Sequence, residues 1–491
     1  MATSTTRSRL FNLFDKIRYR RFISRSNQSS ALQKAEEQDN ESHYPPIKPK
    51  YPPGEWGEMD RGIAWTWHEE GEKWKSMASV EERLSFLATK DSKYGSKVWK
   101  YNSIQTNTGL SDYQQDKTKT VLINDAPEVI SNIDIDIENE FKDIKTILQD
   151  KLLEEQEYLV QHLGKMYDPK KPEALNTKLI KSLVFDLVTV LSTKYEHLFD
   201  LQLDPEVEIA AYWDRYGVPP IKPWRNYEKA KTDYSIPTWP LPKKFFQNYS
   251  KYQSQSKLSC QLRTSNPLPE FLPQDDVKCT SEPYPECRLW PNVLGTPSGW
   301  VQPKCDPGYV PQDPYQFVNL SFVPRNLSYL PYLEKNLGAE NAAESLKYFG
   351  MNTAFISTVA QAYNQGFSTF VDITYPFTTQ TIMTDGRLFS IYSYQLNTLH
   401  LWKGDEVNPL RNICFLQDSL PLYDVIENGQ IKGFNDETFK ALMRCFVLKP
   451  VDRGCDLRPT IPQDSPNRME PEIPKYVEEI IIEKEVIYDE S

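Results

Sequence analysis

The sequence predicts an α+β protein, and three observations carry that prediction. Residues 341–363 place Leu346, Phe349, Phe355, Ile356 and Val359 on a helical pattern. Strand-forming runs follow at Phe367–Thr374, Phe377–Thr384 and Arg387–Leu401, and residues 436–448 repeat Phe439, Leu442, Met443 and Phe446 at i, i+3, i+4, i+7. A helix, an antiparallel sheet and a closing helix in that order make an α+β domain. The chain of 491 residues has room for two to three domains, and it organises into six stretches. These are a leader (1–30), a proline-rich extended arm (31–64), a mainly helical region (65–218), a proline- and aromatic-rich irregular segment (219–315), the α+β domain (316–455) and an acidic tail (456–491).

The leader is set apart by charge. The whole chain carries 57 Lys and Arg against 68 Asp and Glu, a net −11, which excludes a generic basic nucleic-acid binder. Residues 1–34 nevertheless hold eight bases and one acid, Asp15, leaving −18 for the rest. Leu10, Leu13, Phe14 and Ile17 form one apolar stripe whose other side is Arg and Lys. An Arg- and Ser-rich, acid-poor amphipathic start is a transit-peptide signature; a basic disordered arm is the other reading. No continuous apolar stretch suits a secretory signal, and the longest apolar run, Leu183–Leu191, is short and broken by Asp186, so no membrane span is expected.

The arm ends in Tyr44-Pro45-Pro46-Ile47-Lys48-Pro49-Lys50-Tyr51-Pro52-Pro53, which proline keeps out of a helix. Trp65, Trp67 and Trp74 then precede a helix that starts at Ser79, with Glu82 three residues on as a capping box. Clustered tryptophans beside a helix read as an anchor to core or partner rather than a base-stacking platform. A polar linker is expected at about residues 105–135. Two helices, 138–165 and 172–198, follow as an antiparallel pair, and carry His162 and His197 as ordinary polar residues.

Residues 219–314 contain 17 of the 37 prolines and show no sustained period, so they read as ordered loop or extended arm lying on another surface. Two places there mix base and ring. Lys222, Trp224 and Arg225, then Lys243 and Lys244 before Phe245, are the RNA-contact candidates; a solvated loop with buried rings is the alternative. In the C-terminal domain Asp385-Gly386 marks a two-residue hairpin, since a type I′ turn needs positive φ twice. A second turn is expected at Asn428-Gly429, Asn435 caps the closing helix, and Pro450 follows its end.

Catalytic chemistry has little to draw on. The seven cysteines form no CxxC pair and read as reduced thiols, and no His neighbours the four at 260–305 at metal-ligand spacing. A nucleophilic site would have to join Cys414, His400 and a carboxylate such as Asp372, Asp385 or Asp424. His400 falls on an expected strand among apolar neighbours, where a structural His is the default. Phosphate-cradle, elbow-serine and zincin motifs do not occur, so neither a cofactor nor a small-molecule substrate is expected.

The run Ala360-Gln361-Ala362-Tyr363-Asn364-Gln365-Gly366-Phe367, then Ile382-Met383-Thr384-Asp385-Gly386-Arg387-Leu388-Phe389-Ser390 and Tyr394-Gln395-Leu396-Asn397-Thr398-Leu399, resembles the mitochondrial ribosomal protein S-thirty family, also called programmed cell death protein nine. The likeness continues through Asn408–Cys414, Pro421-Leu422-Tyr423 and Lys432–Asp436; it is specific over 352–450 and sparse before. It implies a non-catalytic structural component of the mitochondrial ribosome in the matrix. Despite the family's small-subunit name, it implies the large subunit, beside the related large-subunit protein thirty-seven, with limited rRNA contact. The family's cell-death name carries the competing expectation, an enzyme-like or signalling protein acting through the C-terminal domain. The likeness brings no catalytic residue; its matched positions Gly366, Asp385, Gly386 and Asn435, like Gly429, read as turns and caps. At −18 beyond residue 34 the chain is poorly suited to displacing counterions from RNA, so peripheral placement through protein contacts is expected.

Overall fold

A long helix, Ala339–Asn364, lies between two sheets, and its burial explains its composition. Every residue from Tyr348 to Asn364 is buried, as expected of a helix with neighbours on both sides rather than one apolar stripe. Some of its polar side chains turn back on the helix: Thr353 Oγ1 donates to Phe349 O at 2.9 Å and Gln361 Nε2 to Ser357 O at 3.2 Å. The structure, a computed structural model, describes residues 71–86, 97–101, 111–166, 172–216, 249–287, 298–300, 303–325 and 330–461. All of these belong to one compact unit, 62–491.

In chain order the strands are β1 (Lys97–Lys100), β2 (Thr120–Ile123), β3 (Gln202–Pro205), β4 (Glu208–Tyr216), β5 (Tyr249–Lys257), β6 (Cys260–Thr264) and β7 (Ser298–Trp300). They continue with β8 (Phe317–Pro324), β9 (Phe377–Thr384), β10 (Leu388–Leu396), β11 (Asn412–Pro421), β12 (Val425–Glu427) and β13 (Gln430–Lys432). One sheet is ordered β4-β5-β1-β7, the second β2-β11-β10-β9-β8-β6-β3, and β12-β13 is a hairpin. Both large sheets are mixed rather than purely antiparallel, because β1 runs parallel to β5, β8 to β9 and β11 to β2.

Register sorts the larger sheet into two faces. Gln261, Ser321, Thr381, Tyr392 and Leu416 stand opposite one another across five strands, and this row faces the long helix, where Gly350 meets the Tyr392 ring. The next row, Cys260, Phe322, Ile382 and Ile391, packs with the helices beyond the sheet. These are the pair Lys142–Met166 and Pro172–Leu191 and the closing helix Asp436–Val447. The pair is antiparallel: Lys151 meets Asp186 at 3.5 Å, while the Phe141 and Tyr195 rings stack at 6.3 Å near the other end. The four-stranded sheet covers the helix's other side, with Trp213 edge-on to Phe355 at 5.0 Å and Ser256 Oγ 3.1 Å from Thr353 Oγ1.

Several expectations change. Residues 367–374 are not a strand but a looped segment held by side-chain bonds, Thr369 Oγ1 to Asp214 Oδ2 at 3.1 Å and Trp402 Nε1 to Thr369 O at 2.9 Å. The third expected strand is shorter, ending at Leu396, and His400 lies in the loop after it. The expected mainly helical stretch 65–218 also holds β1 to β4, and the irregular stretch 219–315 holds β5 to β7. β5 escaped a hydrophobic reading because its inward positions are Ser250, Tyr252, Ser254 and Ser256, a period of two written largely in serine. The polar linker at 105–135 contains a helix, Ser111–Thr118, and β2; Gln114 and Asp116 through Thr120 are all buried.

Turn chemistry also differs from expectation. Between β9 and β10 only Gly386 has positive φ, +93°, so a type I′ turn does not form. The Asp385 carboxylate instead accepts from Arg387 N at 2.9 Å and Leu388 N at 2.8 Å. A Cβ on Gly386 would come within 2.5 Å of Leu179 Cδ2, so the hairpin tip sits tightly on the helix pair. Asn428 and Gly429, at φ +49° and +70° between paired Glu427 and Gln430, carry the positive φ twice that a type I′ turn needs. Asn435 caps the closing helix, its side chain accepting from Glu437 N at 3.0 Å and Thr438 N at 3.2 Å.

Candidate functional site

Of the residues weighed for nucleophilic catalysis, His400 and Asp372 come together, without Cys414. Cys414, on β11, is wholly buried in the core against the long helix, and burial pushes its thiol up. His400 turns its Nδ1 to Asp372 Oδ2 at 3.5 Å; burial holds it below its ordinary pKa, with Asp372 opposing. Asp372 is itself committed, accepting from Thr398 Oγ1 at 2.7 Å and Leu399 N at 2.6 Å. Asp385 serves the hairpin turn, and Asp424 is exposed beside Gly433. Among the described residues no three His, Cys, Asp or Glu side chains gather as a metal site.

The densest polar cluster is one the sequence did not disclose, and it grows from the supposed linker. Arg215, on β4, donates from Nε to Asp116 O at 2.6 Å, from Nη2 to Asp116 Oδ1 at 3.0 Å and from Nη1 to Leu401 O at 3.2 Å. Nη2 also reaches the Tyr284 hydroxyl at 2.9 Å, which donates on to Asp405 at 3.3 Å. Lys117 meets Asp116 and donates to Cys287 O at 2.9 Å. Lys119, with no exposed surface, lies 2.9 Å from Asp405 Oδ1, and Arg411 lies 3.4 Å from Asp405 Oδ2. Four cations thus share two carboxylates, and burial lowers Lys117 below its ordinary pKa and Lys119 to about 8 against the pull of those carboxylates. The donors are spent on carboxylates, a hydroxyl and backbone carbonyls, so the cluster joins β4, the residue 111–123 stretch, the segment around Tyr284 and the loop 401–411. A run Thr120-Val121-Leu122-Ile123 was a strand signal in the sequence, but nothing there marked Tyr284 or Asp405 as its partners.

A cleft of about 290 Å³ opens elsewhere, lined by Glu270, Tyr375, Arg453, Cys455 and Asp456 among others. Arg453 is pinned across it, donating to Pro376 O, Leu268 O and Thr378 Oγ1. Cys455 is the exposed one of seven free thiols; the other six are buried. Titration of the native protein with a thiol reagent should therefore modify Cys455 promptly and the rest only on unfolding, and Cys455→Ser should abolish the fast phase.

Of the turn and cap residues, Gly366 ends the long helix at φ +93° and Asp385, Gly386, Gly429 and Asn435 sit as described above. Trp74 is buried, its Nε1 donating to Gly366 O at 2.8 Å, so it anchors to the core. Ser79 Oγ accepts from Glu82 N and Glu82 reaches back to Ala78 N, both at 3.2 Å. The RNA-contact candidates Lys222, Trp224, Arg225, Lys243 and Lys244, the leader, Trp65 and Trp67 lie outside the described residues, as does the tail beyond residue 461.

Fold and polar sites together define a layered α+β scaffold in which titratable side chains join elements of distant sequence. The chain belongs to the family described as Mitochondrial 28S ribosomal protein S30 (PDCD9), whose model matches residues 8–450. It is accordingly a mitochondrial ribosomal protein, of a family that is structural rather than enzymatic in nature. That description carries the small-subunit designation 28S, where the sequence resemblance implied the large subunit. Among the described residues no helix is long and apolar enough to cross a membrane.

Proposed function

We propose that this chain is a non-catalytic structural component of the mitochondrial ribosome, acting in the matrix and held to its neighbours mainly by protein–protein contacts. The family match over residues 8–450 carries this reading. The surplus of acid beyond residue 34 supports the preference for protein over RNA. The RNA contact is assigned to Lys222, Trp224, Arg225, Lys243 and Lys244. All five fall in the one connection, 217–248, between the paired strand residues Tyr216 and Tyr249, and that connection holds six Lys or Arg against two acids. Within the ribosome the reading is the large subunit beside protein thirty-seven, on the resemblance alone; the family's 28S designation makes the small subunit the competing placement.

Sedimentation of mitochondrial lysate through sucrose gradients at moderate and high salt tests both levels. Co-migration with large-subunit markers that survives high salt is the expected outcome, since apolar contacts are not screened. Migration with the small subunit overturns the subunit assignment but not the ribosomal one. Recovery only in light fractions at both salts overturns the ribosomal reading.

A further inference from the structure

Among the described residues no carboxylate meets the guanidinium of the buried Arg83, and part of what satisfies it, Thr460, lies 377 positions further along the chain. Arg83 has no exposed surface, and burial lowers its pKa to about 10 against the opposing charge of Glu82. Nε and Nη2 donate to Met77 O at 3.2 and 3.1 Å, Nη1 to Gly366 O at 2.7 Å and Thr460 Oγ1 at 2.8 Å, and Nη2 also to Thr460 O. The Gly366 carbonyl gathers two further donors, Trp74 Nε1 at 2.8 Å and Thr460 Oγ1 at 3.2 Å. Gly366 permits this approach: a Cβ there would lie 2.8 Å from Arg83 Nη1 and 3.0 Å from Ile461. Ile461 is buried, and the gap between Ser79–Glu81 and Arg458 and Ile461 is about 10 Å³, room for one water at most.

The residues leading to this knot are strapped down along their length. Val451 N donates to Pro267 O at 2.9 Å, Tyr375 OH to Leu457 O at 2.8 Å, and Arg458 Nε to Gln365 Oε1 at 2.8 Å. The strap lies beyond residue 450, where the family match ends, and its residues 456–461 fall where the acidic tail is expected to begin.

We propose that residues 451–461 form a latch for residues 71–86, the two segments docking and releasing as one cooperative unit. Two of the Arg83 contacts come from Thr460, and a buried charged donor left without its acceptor is costly. Conversely Thr460 and Ile461 lose their seat when Arg83 and Trp74 leave Gly366. Residues 71–86 therefore complete their packing only once residues 451–461 are in place.

Hydrogen exchange on full-length chains tests the coupling through two variants, one at each end of the contact. Ile461→Asp should raise amide exchange at least tenfold in peptides from 71–86 as well as 451–461, with the β9 and β10 peptides unchanged. Arg83→Met should loosen 451–461 as well as 71–86. Loosening confined to the segment that carries the substitution, in either variant, overturns the latch. If one variant also loses protection in β9 and β10, it has unfolded as a whole and the other decides.

Discussion

Gly350→Ala should destabilise this protein by about 2 kcal/mol, although glycine to alanine inside a helix ordinarily stabilises by roughly 1 kcal/mol. The reversal comes from the sheet beneath. A Cβ at 350 would lie 2.2 Å from Tyr392 Cζ and 2.3 Å from Cε2, in a ring that is itself wholly buried. Neither the ring nor the helix has room to move, because the helix is covered on its other side by Trp213 and Ser256. Thermal or urea unfolding of the variant should show a lower midpoint, and adding Tyr392→Leu, which removes the ring, should recover part of the loss. An unchanged or raised midpoint in Gly350→Ala would show that the helix does not press on the sheet at this point.

Asp116→Ala should cost more, about 3–5 kcal/mol, the usual range when one partner of a buried ion pair is removed. Asp116 is the carboxylate that both Arg215 and Lys117 contact, and all three side chains are nearly inaccessible. Removing it leaves two buried cations, with Asp405 already engaged by Lys119 and Arg411. Asp116→Asn should fall between, keeping an acceptor without the charge. The double variant Asp116→Ala with Arg215→Met should be less damaged than the sum of its parts, because the second change removes a charge the first has stranded. Additive losses in that cycle would show that the two side chains are not coupled.

Where the sequence was readable, the elements had a one-sided apolar pattern or a local stop signal. The closing helix is such a case, with Phe439, Leu442, Met443 and Phe446 on one face and Asn435 at its start. β9 was placed at Phe377–Thr384 from its β-branched content, although every residue in it is buried. What could not be read was pairing at a distance. β5 turns serines inward because a helix with its own polar side chains lies against it, so hydropathy along the strand carries no contrast. Residues 111–123 looked like solvated linker because Asp116, Lys117 and Lys119 are charged; the partners of Asp116 and Lys119, Arg215 and Asp405, lie 99 and 286 positions away. Asp385-Gly386 and Asn428-Gly429 carry the same dipeptide logic, yet only the second takes positive φ twice, since at the first the Asp385 carboxylate takes the Arg387 and Leu388 N–H groups.

A density map of intact mitochondrial ribosomes carrying this protein would decide most directly whether it is a structural part of that particle. The fold gives an unmistakable search object, a helix of 26 residues lying between a four-stranded and a seven-stranded sheet. Density for that arrangement on the protein-rich periphery of a subunit, touching neighbouring proteins over more area than rRNA, is the predicted result. Maps of both subunits, complete enough to assign their proteins and holding no such density, would contradict it.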